Sequence, residues 1–208
     1  MSRVTELMAA VIRLPERTTA AKGVEDPDAD LVCRAGRGDR VACALLVDRH
    51  LDRVTQLAWR MMGNRADAEE IAQEVFLRVW RHAGRWTPGK ARFTTWLHRV
   101  TVNQCLDRCC RQRDVPLTVG DDLPDDGMTQ EDALQERDVE AAVGAALARL
   151  PDRQRAAVVL THFNGLSNQE AAVALNVSVE AVESLLVRGR RRLRDLLHPK
   201  INDLMGGS

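Results

Sequence analysis

The sequence predicts an all-α protein of two small helical domains joined by an acidic flexible linker, the C-terminal one a helix-turn-helix. Three observations carry this expectation. The 208 residues are rich in Ala, Leu, Val and Arg, include no Tyr and are only 3% aromatic, which favours helix over sheet on intrinsic propensity. Apolar side chains recur at i, i+3, i+4 and i+7, the spacing of a helix with one buried stripe. Charge is segregated: Val75 to Arg113 contains nine Lys/Arg and a single acid, Asp107, whereas Asp114 to Glu140 contains ten acids and a single base, Arg137. The formal net charge of zero therefore conceals a basic stretch beside an acidic one, and such segregation marks functional segments.

The elements follow in order. Residues 1–28 form a variable extension whose short apolar pattern (Val4, Leu7, Met8, Val11, Ile12) stops at Pro15. Residues 29–113 make the first domain. A helix from about Asp30 to Met62 buries Val47, Leu51, Val54, Ala58 and Met61; Gly63-Asn64 breaks it. Asn64 or Asp67, each with an acid three residues on, caps the next helix, which buries Ile71, Ala72, Val75, Phe76 and Val79 and ends near Gly84. Trp86 to Lys90 is a loop on its Pro-Gly signal, and Phe93 to Arg113 resumes helical spacing through Trp96, Leu97, Val100 and Leu106.

Residues 114–136, punctuated by Pro116, Gly120, Pro124 and Gly127, read as the linker, so that the two domains are tethered, not fused. Residues 137–198 make the second domain, and 199–208 a tail. Val139, Val143, Ala146, Leu147 and Leu150 lie on its first helix, Pro151 opens a second, and Asn164-Gly165 ends that one. Ser167 to Glu170 has capping-box spacing ahead of a short helix to Leu175. Asn176 turns the chain and Ser178 caps a long helix to about Leu197.

On that last helix Val182, Leu186, Gly189, Leu193 and Leu196 share one face, and Glu180, Ser184, Val187, Arg188 and Arg191 share the opposite one. The outward face suits the major groove, where an arginine pairs with a guanine edge, while Arg190, Arg192 and Arg194 flank it as phosphate contacts. A solvated basic face is the plainer alternative. Upstream, Trp80, Trp86, Phe93 and Trp96 alternate with Arg78, Arg81, Arg85, Lys90 and Arg92. Such interleaving fits single-stranded nucleic acid, since rings stack on unpaired bases and cations follow the backbone. Trp96 falls on the core stripe, which leaves Trp86 as the better stacking candidate.

The run Ala68-Glu69-Glu70-Ile71-Ala72-Gln73-Glu74-Val75-Phe76-Leu77-Arg78-Val79-Trp80, followed by Phe93-Thr94-Thr95-Trp96-Leu97 and Asn103, resembles the second conserved region of extracytoplasmic-function sigma factors of the sigma-70 family. Leu150-Pro151, Gly165-Leu166-Ser167 and the Arg-rich helix resemble their fourth region. The resemblance covers about Asp28 to Leu197. It implies an alternative sigma factor that directs RNA polymerase to particular promoters and starts strand opening.

By the same resemblance, Glu70, Gln73 and Glu74 grip the clamp helices of the polymerase largest subunit. Trp86, Lys90, Arg92 and Asn103 serve the minus-ten element, Trp86 and Asn103 bordering a pocket for a flipped base. Ser184, Val187, Arg188 and Arg191 face the minus-thirty-five element. Core RNA polymerase, promoter DNA and an anti-sigma factor are the implied partners. Glu183 and Leu185 depart from the basic residues many relatives carry in this helix, and Glu70 replaces a more usual Asp.

Other chemistries have little to stand on. Five cysteines, Cys33, Cys43, Cys105, Cys109 and Cys110, are an odd number without zinc spacing, and are expected to be reduced thiols packing helices rather than a metal site. His50, His82 and His162 are scattered and no carboxylate pair or nucleophile triad declares itself, so neither an enzyme nor a cofactor is expected. Without a long apolar run or a cleavable leader, a cytoplasmic protein with no membrane insertion is expected. The competing reading is a conventional helix-turn-helix regulator, which accounts for the C-terminal half but gives the Trp/Arg stretch no role.

Overall fold

A computed structural model describes residues 26–86, 92–113 and 140–205. The extension through residue 25, the Pro-Gly loop with Lys90 and the acidic segment 114–139 lie outside the described residues. Every regular element among the described residues is helical.

The first domain contains α1 (Ala29–Gly36), α2 (Arg40–Met62), α3 (Arg65–His82), a 3-10 turn (Ala83–Arg85) and α4 (Phe93–Arg113). The single helix expected from Asp30 to Met62 is thus two. Gly38 takes φ +90°, and the Asp39 side chain caps the restart by accepting from Val41 N at 2.9 Å and Ala42 N at 3.1 Å, so the break is a glycine turn followed by an N-cap. Gly63 at φ 79° closes α2, and Asn64 caps α3 by accepting from Asp67 N at 2.7 Å.

The buried stripe of α2 also differs from the one read by periodicity. Leu51 is 41% exposed, and His50 is 4% exposed in the core. A buried histidine is tolerable because its polar atoms find partners: His50 Nε2 lies 2.8 Å from Oδ2 of Asp28, itself buried, and Asp28 also accepts from Arg49. Phe93 is fully buried and meets the rings of His50, Trp96 and Trp86 at centroid distances of 5.5, 5.7 and 6.4 Å. Its backbone N–H donates to Asp26, which ties the start of α4 to the strand of chain entering α1.

The second domain comprises α5 (residues 140–148), α6 (Asp152–Val158) running on into a π turn (Val159–Phe163), α7 (Asn168–Leu175) and α8 (Val179–Met205). Ser167 and Glu170 form a complete capping box at the start of α7. Asn176, at φ 53°, makes the left-handed turn between the two helices of the helix-turn-helix. The last helix extends beyond its expected end near Leu197 to Met205.

The two domains also touch: α4 packs along α7, and the end of α2 meets α6 and the π turn. Their buried side chains form one continuous apolar cluster. Helical periodicity identifies which stripe of each helix is buried, but it carries no information on whether the covering surface belongs to the same domain.

Candidate nucleic-acid interface

Residues Arg78 and His82 of α3 and Arg85 of the 3-10 turn follow i, i+4, i+7 spacing and lie on one side. Opposite them, Trp96 and Val100 of α4 supply an apolar wall, and Trp86 closes the end. Together these six residues line a concavity of about 260 Å³. That is below the range of about 300–1,000 Å³ typical of small-molecule pockets and leaves room for a single planar ring. Two of the lining residues carry buried polar atoms, His82 Nδ1 and Trp86 Nε1, with no hydrogen-bond partner among the described residues. A cationic, aromatic concavity with unsatisfied polar atoms is chemically suited to a base and its phosphate.

Of the residues assigned from sequence to this region, Trp86 is half-buried at the rim, edge-on to Phe93. Asn103 is exposed and follows Trp96 and Val100 on the same face of α4, so it extends the wall of the concavity. Arg92 is partly buried just before α4, and Lys90 is outside the described residues. Sequence reasoning left out His82 as one of several scattered histidines. Its spacing from Arg78 and Arg85 was the available signal.

In the second domain, Ser184, Val187, Arg188 and Arg191 are all exposed on α8, with Val187 at 66%. Val182, Leu186 and Leu193 are buried beneath them. Gly189 lets α8 approach α6 closely, since a Cβ there would sit 3.0 Å from Val158 Cγ2. Arg188 folds back along the helix, its Nε donating to Ser184 O at 3.1 Å. Arg192 and Arg194 are exposed, as phosphate contacts need to be. Arg190 departs from that expectation: it is partly buried, and its charge helps depress the neighbouring His162.

The trio assigned to polymerase is divided. Gln73 and Glu70 are both exposed, Glu70 also pairing with Arg108 at 2.6 Å, whereas the half-buried Glu74 accepts from Gln104 Nε2 at 2.5 Å, both contacts crossing the seam to α4. Asp67 joins the same network, accepting from Asn64 at 2.6 Å, Gln112 at 2.9 Å and Arg108. Burial raises the Asp67 pKa, yet these hydrogen bonds and the Arg108 charge outweigh it and hold the carboxyl below its ordinary value. Beyond Gln73 on the same strip of α3, Leu77 and Trp80 are 53% and 50% exposed. Large apolar side chains exposed in line with a polar one are a feature of contact surfaces.

Cys105 is buried and its thiol is pushed up by that burial, away from thiolate reactivity. Cys109 is buried against Met62, while Cys110 is exposed. Among the described residues no three His, Cys, Asp or Glu side chains converge as a metal site.

Residues 46–115 match the family model for Sigma-70 region 2, and residues 140–193 match that for Sigma-70, region 4. The chain is 32% identical over 172 residues to the ECF RNA polymerase sigma factor SigW of Bacillus subtilis, an alignment covering 77% of this chain and 91% of SigW. The chain belongs to the extracytoplasmic-function sigma factor family. It is also 40% identical over 156 residues to SigE of Mycolicibacterium smegmatis, covering 73% of this chain and 60% of that longer protein. Among solved structures, CnrH in complex with the cytosolic domain of CnrY matches with a TM-score of 0.63 at 28% identity, over 83% of this chain and 97% of CnrH.

As a sigma factor, the protein is a transcription initiation factor that gives RNA polymerase its promoter specificity. The helix-turn-helix regulator reading is not favoured, because it has no counterpart for the region 2 match. No helix among the described residues is long and apolar enough to cross a membrane.

Proposed function

We propose that this sigma factor divides promoter recognition between its domains, the first capturing the unwound minus-ten element and the second reading the minus-thirty-five element as duplex. The concavity between α3 and α4 carries the proposal. Arg78 and Arg85 on one side suit a phosphate, with His82 between them, and the indoles of Trp86 and Trp96 suit a base that has left the stack. Asn103 extends it with an amide able to pair with a base edge. Extruding a base costs a few kcal/mol, which aromatic contact and hydrogen bonding offset.

On α8 the exposed set fits a major groove. The guanidinium fork of Arg188, once swung off Ser184, suits a guanine edge, the methyls of Val187 suit a thymine methyl, and the Ser184 hydroxyl can donate or accept. Arg191 stands beside them with Arg192 and Arg194 toward the phosphates. Glu70, Gln73 and Glu74 serve the polymerase clamp helices, with Gln73 the side chain freely presented. The proposed setting is the cytoplasm, where core polymerase and promoter DNA are met. CnrH and the sigma factor RpoE of Bartonella quintana are each described in complex with another protein, CnrY and the anti-sigma factor NepR respectively. An anti-sigma partner is accordingly proposed here too.

Permanganate footprinting of promoter DNA with reconstituted holoenzyme tests the division. Trp86→Ala and Asn103→Ala are expected to reduce strand opening more than closed-complex formation. Equal loss at both stages, with unchanged helix content, would remove the minus-ten assignment.

A further inference from the structure

The chain enters the first domain through Asp26-Pro27-Asp28, and both carboxylates lead to Phe93. The half-buried Asp26 divides its two oxygens between helix starts. Its Oδ1 accepts from Asp28 N at 3.0 Å, just ahead of α1, and its Oδ2 accepts from the N–H of Phe93, the first residue of α4. The N–H groups of a first helical turn have no partner within the helix, and a carboxylate beside them also meets the positive end of the helix dipole. Asp26 therefore caps α4 from 67 positions away in the chain. Asp28 is buried and holds His50 Nε2 at 2.8 Å, and the His50 ring meets the Phe93 ring edge-on at a centroid distance of 5.5 Å. On its other sides Phe93 touches the two indoles of the concavity, Trp96 at 5.7 Å and Trp86 at 6.4 Å.

We infer that Asp26 is a positioning residue for promoter opening: by fixing the first turn of α4 it holds Phe93 as the wedge that sets Trp86 and Trp96 in place. This rests on the proposed capture of a minus-ten base at those indoles. Trp86 follows the 3-10 turn and Phe93 opens α4, so the two rings belong to separate elements and their relative placement depends on what pins the start of α4. A binding site needs its side chains held to within about 0.5 Å of the productive geometry, and a turn of helix with unpaired N–H groups is the part of a helix most prone to fray. The carboxylate of Asp26 supplies the missing acceptor, and a charged acceptor makes a stronger hydrogen bond than a neutral one. Asp26 acts through the Phe93 backbone, and Asp28 supports the same ring from behind through His50. The entering segment thus shapes the concavity although it belongs to neither of the helices that line it.

Holoenzyme reconstituted with the full chain tests this through the fraction of bound promoter that is opened, read as permanganate reactivity relative to total complex. Asp26→Ala is expected to lower that fraction about tenfold, as loss of one hydrogen bond to a charged group allows, with the amount of closed complex unchanged. Asp26→Ser separates the two contacts. Its single oxygen still accepts from Asp28 N in a local turn, while the acceptor for Phe93 N is gone, so it should open promoters as poorly as Asp26→Ala, and it provides the comparison if Asp26→Ala loses helix content. A cap that served folding alone would lower the melting temperature of Asp26→Ser and leave its opened fraction at the wild-type value, and that result would overturn the inference. Trp86→Ala is the reference. Normal opening by Trp86→Ala would remove the minus-ten reading of the concavity and the role of Asp26 with it, whereas a defect in Trp86→Ala beside normal opening by Asp26→Ser would remove the role of Asp26 alone.

Discussion

Glu70 of α3 and Arg108 of α4 form an ion pair of 2.6 Å, and the same guanidinium also pairs with Asp67. This clasp, led by its hydrogen bond to Glu70, raises the Arg108 pKa above its ordinary value, so the cation is permanent. Glu70 therefore has a structural partner already, as has Glu74 in Gln104, whereas Gln73 is exposed. Gln73→Ala is expected to weaken core polymerase binding with no change in melting temperature. Asp67→Ala should destabilise the fold by about 1–3 kcal/mol, because it strips partners from Arg108, Asn64 and Gln112. Competition for core enzyme against a second sigma factor, alongside thermal unfolding, separates the two effects.

On α8, Arg188→Ala should cost about 1–3 kcal/mol of promoter affinity and relax the preference at one base pair. Arg192→Ala should weaken binding evenly across sequences and reduce the salt dependence by about one counterion. Binding titrations over a series of salt concentrations, with a panel of single-base variants of the upstream element, distinguish them. An Arg188→Ala variant that behaves like Arg192→Ala would show that Arg188 contacts only phosphate.

Glycine at position 36 is a packing requirement. A Cβ on Gly36 would lie 2.8 Å from the Cα and N of Gly84, so α1 and the 3-10 turn approach backbone to backbone. In an exposed helix Gly→Ala stabilises by roughly 1 kcal/mol. Here Gly36→Ala should instead destabilise by about 1–3 kcal/mol, since neither backbone has a side chain that can move aside. Because the 3-10 turn carries Arg85 and leads to Trp86, the variant should also shift Trp86 fluorescence. Chemical denaturation and emission spectra give both readouts.

Two histidines set a pH limit. Burial, helped by the charges of Arg53 and His50, lowers the His98 pKa from 6.5 to about 4, and burial with Arg190 does the same for His162. Between those values the unfolded chain binds protons that the native state does not. Stability is therefore full above pH ~6.5 and is lost as pH falls toward ~4, by roughly 3 kcal/mol for His98 at most and by less for the more exposed His162. His98→Leu should flatten the slope across this window. A denaturation midpoint that stays constant from pH 7 to pH 5 would contradict the account.

Much of this protein was legible from sequence because it rests on local rules. The capping box at Ser167, the turn at Asn176 and the opposed faces of α8 follow from hydrogen-bond chemistry and from a helix repeat of 3.6 residues. Both act over a few residues. Tertiary structure decided the rest. It placed His50 in the core through Asp28, more than twenty positions away in the chain. It paired Glu70 and Glu74 with Arg108 and Gln104 of α4, and it set the row of Arg78, His82 and Arg85 against Trp96. It also set Arg155 on the carbonyl of Met61 and so joined two domains that local patterning treats as separate. A stripe of apolar residues states that a helix face is buried, but the identity of the surface covering it depends on long-range packing, and so does the choice between a cation in solvent and one that holds two helix ends together.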